Sequence, residues 1–188
     1  GTASSDHAFP STACLVQDRL GCKNAAAFDL SAGCSGFVYN LAVASQMIKT
    51  GLYDKALIIG AETLSRIMNF TDRNTCVLFG DGAGAAVVGV VDEGEGVLGI
   101  ELGADGSGGK FLIQPAGGSR KPATPETAAA HEHTIHMSGQ DVFKFAIQIM
   151  GTAAKRDLKA ANMKAEELDL LVPHQANMRI ITSAAKRL

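Results

Sequence analysis

Residues 25–61 alternate between strand-like and helix-like patterns in a way that few folds accommodate. Residues 25–30 form a short apolar run that predicts a buried strand, and residues 55–61 form a second one. Between them, apolar residues recur at helical spacing from Phe37 to Ile48, and Gly51 supplies a stop signal after this stretch. Strand, helix and strand joined by short links predict a βαβ unit and therefore a parallel sheet covered on both faces. The pattern favours the α/β class.

Similar strand-like runs recur further along the chain, at residues 76–79, 85–91, 97–102 and 168–172. A polar, glycine-rich stretch at residues 92–96 interrupts this series and predicts a boundary. We therefore expect two halves, residues 1–94 and residues 95–188.

The second half carries the clearest helix-start signal in the chain. Ser138 and Asp141 lie three residues apart and predict a capping box. The long helix that follows has one predicted apolar face, formed by Val142, Phe145, Ile149 and Ala153. A last helix is predicted around residues 180–184, and residues 115–131, rich in Gly, Pro, Ala and Thr, predict a surface loop.

Composition excludes several classes of protein. The 188 residues are 46% hydrophobic, too apolar for a disordered segment, and the net charge of -2 lacks the basic excess of nucleic-acid-binding proteins. No apolar run approaches the roughly 20 residues of a membrane span, and no signal peptide is visible. The four cysteines form no CxxC pair, which predicts reduced thiols in a cytoplasmic protein. Because the chain begins without Met and stops in a predicted helix, we expect it to be part of a longer protein.

Cys34 is the strongest candidate for a reactive residue. It follows the predicted strand at residues 25–30 and stands at the start of the predicted helix. A thiolate at a helix N-terminus is stabilised by the helix dipole and free N–H groups, so we expect the pKa of the Cys34 thiol to be lowered. The alternative is a small buried apolar residue, as most free cysteines are. Cys14, Cys22 and Cys76 lack this setting and are predicted to be core residues.

His174 occupies a similar place in the second half, after a predicted strand and before a predicted helix. In open α/β sheets, ligands bind beyond the carboxyl ends of the strands, so Cys34 and His174 are both candidates for such a site. A neutral imidazole there donates a hydrogen bond to a carbonyl or acts as an acid or base. The alternative is a histidine that caps the following helix.

Three motifs resemble the β-ketoacyl-acyl-carrier-protein synthase III family, the thiolase-fold enzymes that initiate bacterial fatty-acid synthesis. They are DLSAGCSGF at residues 29–37, FGDGAGA at residues 79–85 and VPHQAN at residues 172–177. The resemblance implies a thiolase-like layered αβαβα fold of two similar halves, incomplete at both ends. It also implies a cytoplasmic homodimer that binds neither nucleic acid nor membrane.

The resemblance assigns the catalytic roles. Cys34 would accept an acyl group from acyl-CoA, and His174 would support decarboxylation of malonyl-acyl carrier protein and stabilise the enolate. Acyl-CoA is then a substrate, and no cofactor or metal is expected. The family's third catalytic residue, an asparagine, is expected beyond Leu188, so we expect the chain as given to lack it.

The resemblance also assigns binding residues. CoA or its pantetheine arm would contact Arg73 and Asn177. Carrier protein would contact Gln175, Ala176, Asn177, Met178, Arg179, Lys186 and Arg187. The acyl pocket would be lined by Phe9, Leu64, Phe79, Met137 and Phe143, with Phe9 contributed across a dimer interface. Without the resemblance, the apolar members of this set are predicted to be ordinary core residues, and the basic ones a solvated helix face.

Other interpretations remain open or are disfavoured. A related polyketide or quinolone starter enzyme would use the same cysteine and histidine on another acceptor, and an inactive thiolase-fold fragment would only dimerise or bind carrier protein. A dinucleotide site at residues 80–85 is disfavoured because a strand-like run, not a helix, follows the glycines. Metal binding by His131, His133 and His136 is disfavoured by their spacing, and a papain-like protease by the sequence around Cys34.

Overall fold

A computed structural model describes residues 1–188, which divide into two compact units. The first unit comprises Gly1–Leu64 and Gly80–Gly96, and the second comprises Ser65–Phe79 and Val97–Leu188. The predicted division into residues 1–94 and 95–188 stays a prediction.

The first unit is built on two helices and one antiparallel strand pair. The helices are α1 (Thr12–Arg19) and α2 (Gly36–Lys49), and the strands are β1 (Lys55–Thr63) and β2 (Asp81–Gly89). β1 and β2 pair from Lys55↔Gly89 to Thr63↔Asp81. The helix and the strand β1 lie where the sequence predicts them, but the pairing of β1 is antiparallel, so the prediction of parallel pairing is wrong for this sheet. β2 contains Gly82 and Gly84, so the glycine motif lies within a strand and does not lead into a helix.

α2 packs on β1 through small residues. Ala44 on α2 and Ile58 on β1 are buried, and a side chain added at Gly60 would lie 3.4 Å from Phe37 Cβ. The Asn40 amide donates to the carbonyl oxygen of Ile59 at 2.8 Å and ties the helix to the strand. These contacts hold the first turns of α2, which follow directly after Cys34, against β1.

The predicted strand at residues 25–30 is irregular in the structure. Its one backbone bond to the neighbouring segment is Thr2 N–H donating to Leu30 O at 3.1 Å. The neighbouring residue, Gly1, bonds to β1 instead. Its amino group donates to Ile59 O at 2.7 Å, and its carbonyl oxygen accepts from Ala61 N–H at 3.1 Å. Gly1 and Thr2 therefore lie between residues 25–30 and β1.

The second unit contains three helices and a very short strand pair. The strands are β3 (Leu112–Ile113) and β4 (His136–Met137), which pair antiparallel. The helices are α3 (Pro125–Ala129), α4 (Gly139–Ala160) and α5 (Met178–Ala185). α3 lies inside the predicted loop at residues 115–131. α4 begins after Ser138 as predicted, although the Ser138 hydroxyl donates to the Asp141 carboxylate at 2.6 Å rather than capping the backbone.

Strands predicted at residues 76–79, 97–102 and 168–172 are not formed. Their apolar composition is compatible with strands, but none of these segments has a backbone ladder partner in the structure. Leu170 and Val172 are 74% and 80% exposed. Apart from the short β3–β4 pair, the second unit is held by packing between α4 and α5, with Ile180 and Ala184 of α5 buried. The helices all fall short of the length or the apolar character that a membrane-spanning helix requires.

Candidate active site

Cys34 lies in a single 3-10 turn, Gly33–Ser35, that leads directly into α2. Gly33 has a φ of 51°, in the left-handed region that a residue with a Cβ rarely adopts, so the turn depends on glycine. Gly36 begins α2, and a side chain added there would lie 3.3 Å from the Gly1 Cα. The prediction of a cysteine at a helix start is confirmed. Cys34 is exposed, so the alternative of a buried packing residue is wrong.

The electrostatic surroundings of Cys34 differ from the expectation. Removal of water by neighbouring protein atoms raises the pKa of the Cys34 thiol, even though part of the residue remains exposed. The negative charge of Glu62 raises this pKa further, and a backbone N–H hydrogen bond lowers it by less. The expectation of a lowered pKa is therefore wrong, because desolvation and a nearby carboxylate outweigh the helix terminus.

Two carboxylates that the sequence did not single out shape this region. Asp29 accepts from the N–H groups of Thr12 and Ala13, both at 2.8 Å, and so holds the first turn of α1. Glu62, near the end of β1, accepts from Ala3 N–H at 2.8 Å and from the Ser4 hydroxyl at 2.5 Å. The sequence signal that could have indicated Glu62 is an acidic residue near the end of an otherwise apolar strand.

The other cysteines are not core residues. Cys14 and Cys22 are exposed and Cys76 is half-buried, so the core prediction is wrong for the first two. α1 has no buried residue, and Cys14 on it donates to Ala27 O at 3.4 Å.

His174 lies in the second unit, in an irregular segment three residues before the N-cap of α5, and it is exposed. The cap is Asn177, whose side-chain oxygen accepts from Ile180 N–H at 3.0 Å. The alternative that His174 caps this helix is therefore wrong. The same bond engages the side-chain oxygen of Asn177, so its amide NH2 group is the part left for the expected contact with pantetheine.

The basic residues expected to bind carrier protein lie on α5 and at its C-terminal end. Arg179 and Lys186 line one shallow groove together with Met178, Thr182 and Ser183. Arg187 contacts α4 instead: a side chain added at Gly151 would lie 2.9 Å from Arg187 Cβ. The structure thus brings Met178, Arg179 and Lys186 together on one surface.

Arg73 is exposed and belongs to a tight turn in the second unit. Asp72 organises the turn by accepting from Asn74 N–H at 3.0 Å and from the Thr75 hydroxyl at 2.9 Å. These bonds lower the pKa of the Asp72 carboxyl, the Asn74 N–H contributing most. The turn presents the guanidinium of Arg73 to solvent.

The predicted acyl-pocket residues are divided between the units: Phe9 and Leu64 lie in the first, and Phe79, Met137 and Phe143 in the second. Phe9 is 90% exposed. The first unit has a cavity of about 770 Å³ bounded by α1, residues 22–30, α2 and β1, and none of the five residues lines it. The acyl pocket stays a prediction.

Comparisons with known proteins all indicate similarity to one enzyme family. The family model for 3-oxoacyl-[acyl-carrier-protein] synthase III matches residues 28–106. The curated β-ketoacyl-[acyl-carrier-protein] synthase III of Caldanaerobacter subterraneus subsp. tengcongensis is 60% identical over 187 residues, covering 100% of this chain and 56% of the relative. The chain thus spans about half the length of the curated relatives it matches.

Solved structures with a similar fold include members of the same family. The β-ketoacyl-[acyl carrier protein] synthase III of Thermus thermophilus has a TM-score of 0.87 at 45% identity, covering 99% of this chain and 56% of that one. The priming β-ketosynthase of the R1128 polyketide biosynthetic pathway has a TM-score of 0.87 at 32% identity, covering 100% and 55%. The fold that these matches share places the chain in the class of thiolase-fold proteins. Within that class, the chain belongs to the β-ketoacyl-[acyl-carrier-protein] synthase III family.

Proposed function

We propose that the protein is an acyltransferase that condenses an acyl-CoA with malonyl-acyl carrier protein and so initiates fatty-acid synthesis. The observation that carries the proposal is an exposed Cys34 on a glycine-shaped turn at the start of α2, in a chain of this family. We propose a cytoplasmic homodimer that uses acyl-CoA, with acetyl-CoA or another short primer as donor, and no further cofactor.

The proposed reaction has two steps. In the first, the Cys34 thiol loses its proton, the sulfur attacks the acyl-CoA carbonyl, and CoA leaves as a thiol after taking up a proton. In the second, malonyl-acyl carrier protein loses carbon dioxide, and the enolate carbon attacks the acyl carbonyl on Cys34. The Cys34 sulfur leaves as thiolate and the β-ketoacyl product remains on the carrier protein. His174 would donate a hydrogen bond to the enolate oxygen, since a thioester enolate needs a donor aimed at its developing charge.

A direct test is incubation with acetyl-CoA followed by intact and peptide mass spectrometry. We expect one acetyl group per chain, located on Cys34. The rate of acetylation should rise with pH because the pKa of Cys34 is raised and a larger thiolate fraction forms only as pH increases. An adduct on Cys14, Cys22 or Cys76 instead would refute the assignment. No adduct on a folded protein would favour an inactive thiolase-fold protein that only dimerises or binds carrier protein.

The groove on α5 is the proposed contact for the acidic carrier protein. Arg179 and Lys186 line it without a salt bridge to a carboxylate of this chain. Arg179→Glu should raise the KM for malonyl-acyl carrier protein about tenfold at low salt and change the KM for acyl-CoA much less. Lys23→Glu, an equal charge reversal at an exposed position of the first unit, is the matched control and should change neither KM. Equal losses for both substrates would contradict docking at this groove.

A second candidate is a starter enzyme of polyketide or quinolone synthesis. This second candidate is supported by the structural match to a priming polyketide β-ketosynthase, with a TM-score of 0.87. The two candidates use Cys34 and His174 in the same way and differ in acyl group and acceptor. Comparing acetyl-CoA with longer and branched acyl-CoA donors, each with fatty-acid and polyketide carrier proteins, separates them.

A further inference from the structure

The last helix, α5, has one buried face and one face that forms the basic groove. Ile180 and Ala184 lie one turn apart on the buried face and are only 4% and 3% exposed. Lys186, which caps the helix, keeps helical backbone angles (φ -67°, ψ -14°), so the helical spacing continues past the last turn. Arg187, seven residues after Ile180, therefore belongs to the buried face. Because Lys186 lines the groove, two consecutive residues serve the two faces, and a movement of one moves the other.

The end of α5 meets α4 at a glycine. Gly151 is buried and lies in the middle of α4. A Cβ added to Gly151 would lie 2.9 Å from the Cβ of Arg187, closer than Cβ atoms approach other atoms in proteins. The Cβ of Arg187 is fixed to the backbone, so it cannot turn aside as the end of a long side chain could. A side chain at position 151 would therefore push the end of α5 away from α4.

Nothing within α4 itself calls for a glycine at this position. Glycine loses more conformational freedom on folding than alanine does, and it is unfavourable in the interior of a helix. Gly151 is not among the glycines with a positive φ, so its backbone conformation is open to any residue. The close approach of Arg187 is the feature that requires glycine here. Alanine at this position would favour the helix but disturb the seating of α5, and the two effects can be measured separately.

We infer that Gly151 is a positioning residue of the carrier-protein groove: its lack of a side chain lets Arg187 rest on α4 and thereby sets the place of Lys186. The inference rests on the proposed docking of carrier protein at this groove. Arg179 and Lys186 form no salt bridge within the chain, so both ammonium and guanidinium groups are available to carboxylates of a partner. The attraction between charges falls with distance, so a displaced α5 would hold the acidic partner less tightly.

The test is direct binding of fluorescently labelled acyl carrier protein, followed by anisotropy at low salt, because this measurement needs no turnover. Gly151→Ala should raise the Kd about threefold, less than a charge reversal does, since Lys186 is displaced and not removed. The KM for malonyl-acyl carrier protein should rise by the same factor, whereas the rate of Cys34 acetylation by acetyl-CoA should not change. Gly109→Ala, the same substitution where an added side chain meets nothing within 4 Å, is the matched control and should change none of these values.

Two substitutions of the contact partner show whether this contact is responsible. Arg187→Gly removes the Cβ, so in this background Gly151→Ala should no longer change the Kd. Arg187→Ala keeps the Cβ, so in this background Gly151→Ala should still raise the Kd about threefold. Position 187 follows the C-cap of α5, where glycine is favourable, so Arg187→Gly should preserve the end of the helix. Each comparison is made within one background, which cancels the effect of losing the Arg187 charge.

Thermal unfolding keeps the test decisive if Gly151→Ala folds poorly. The added methyl group strains the packing only while the Cβ of Arg187 is present. Adding Arg187→Gly should therefore restore the unfolding midpoint, and adding Arg187→Ala should not. A midpoint that Arg187→Gly leaves unrestored would overturn the inference.

Two binding results would also overturn it. An unchanged Kd in Gly151→Ala, in a protein whose Kd rises in Arg179→Glu, would show that the groove does not depend on this contact. A Kd raised equally by Gly151→Ala in all three backgrounds at position 187 would show that Arg187 is not the residue displaced. Failure of the proposed docking is recognised separately, because Arg179→Glu would then bind carrier protein as the unmodified protein does.

Discussion

Replacing Cys34 by alanine is expected to abolish formation of the acyl-enzyme and to lower the rate of condensation by at least about 10³-fold. The proposed reaction passes through a thioester at this sulfur, and alanine offers no nucleophile. The substitution removes one exposed atom from a turn whose shape depends on Gly33, so folding should be preserved. Acetylation followed by mass spectrometry and product formation from malonyl-acyl carrier protein are the two measurements.

The matched control for this prediction is Cys22→Ala. Cys22 is also exposed and lies in the same unit, but it is not at the start of a helix. This variant should retain both acetylation and condensation. If Cys34→Ala still acquired an acetyl group and turned over, the nucleophile would have to be sought elsewhere and the proposed mechanism would be wrong.

His174→Ala is expected to separate the two steps. Self-acylation of Cys34 should remain within a few-fold, whereas decarboxylative condensation should fall by about 10²–10³-fold because the enolate loses a hydrogen-bond donor. Burst acylation measured with labelled acetyl-CoA and decarboxylation measured with malonyl-acyl carrier protein report the two steps independently.

The control for His174 is His7→Ala, which removes an exposed histidine of the first unit and should change neither step. The opposite pattern, with acylation lost and malonyl decarboxylation kept, would show that His174 serves as the base for Cys34. That outcome would have a physical reason, because a thiol with a raised pKa must give its proton to an acceptor before the sulfur attacks.

The helices were predictable from the sequence because their signals are local. Apolar spacing located α2, and the Ser138 and Asp141 pair located the start of α4 within one residue. The strands were less predictable because a strand is stabilised by a partner that lies elsewhere in the chain. Residues 97–102 and 168–172 have the composition of strands, but no other segment pairs with them. β1 pairs with an antiparallel strand, whereas the βαβ pattern predicts a parallel one.

The candidate site was predictable to the extent that it depends on motifs. The position of Cys34 at a helix start follows from the glycines around it. The raised pKa of its thiol did not follow, because the larger cause is desolvation by the fold and the second is Glu62, which lies 28 residues away in the chain (62 − 34). Sequence spacing indicates which residue begins a helix, but it does not report how much water the fold removes from it.

The contact between Gly1 and Gly36 has a consequence for sequence drift in this family. Because the two backbones meet without intervening side chains, the location of the Cys34 turn is defined by main-chain atoms. Side chains on the outer faces of α1 and α2 can then be exchanged without moving the sulfur. A relative at 32% identity retaining the same chain path, with a TM-score of 0.87, is consistent with that freedom. Under the proposed function, acyl-group preference can therefore diversify in the surrounding side chains while the Cys34 sulfur stays in place.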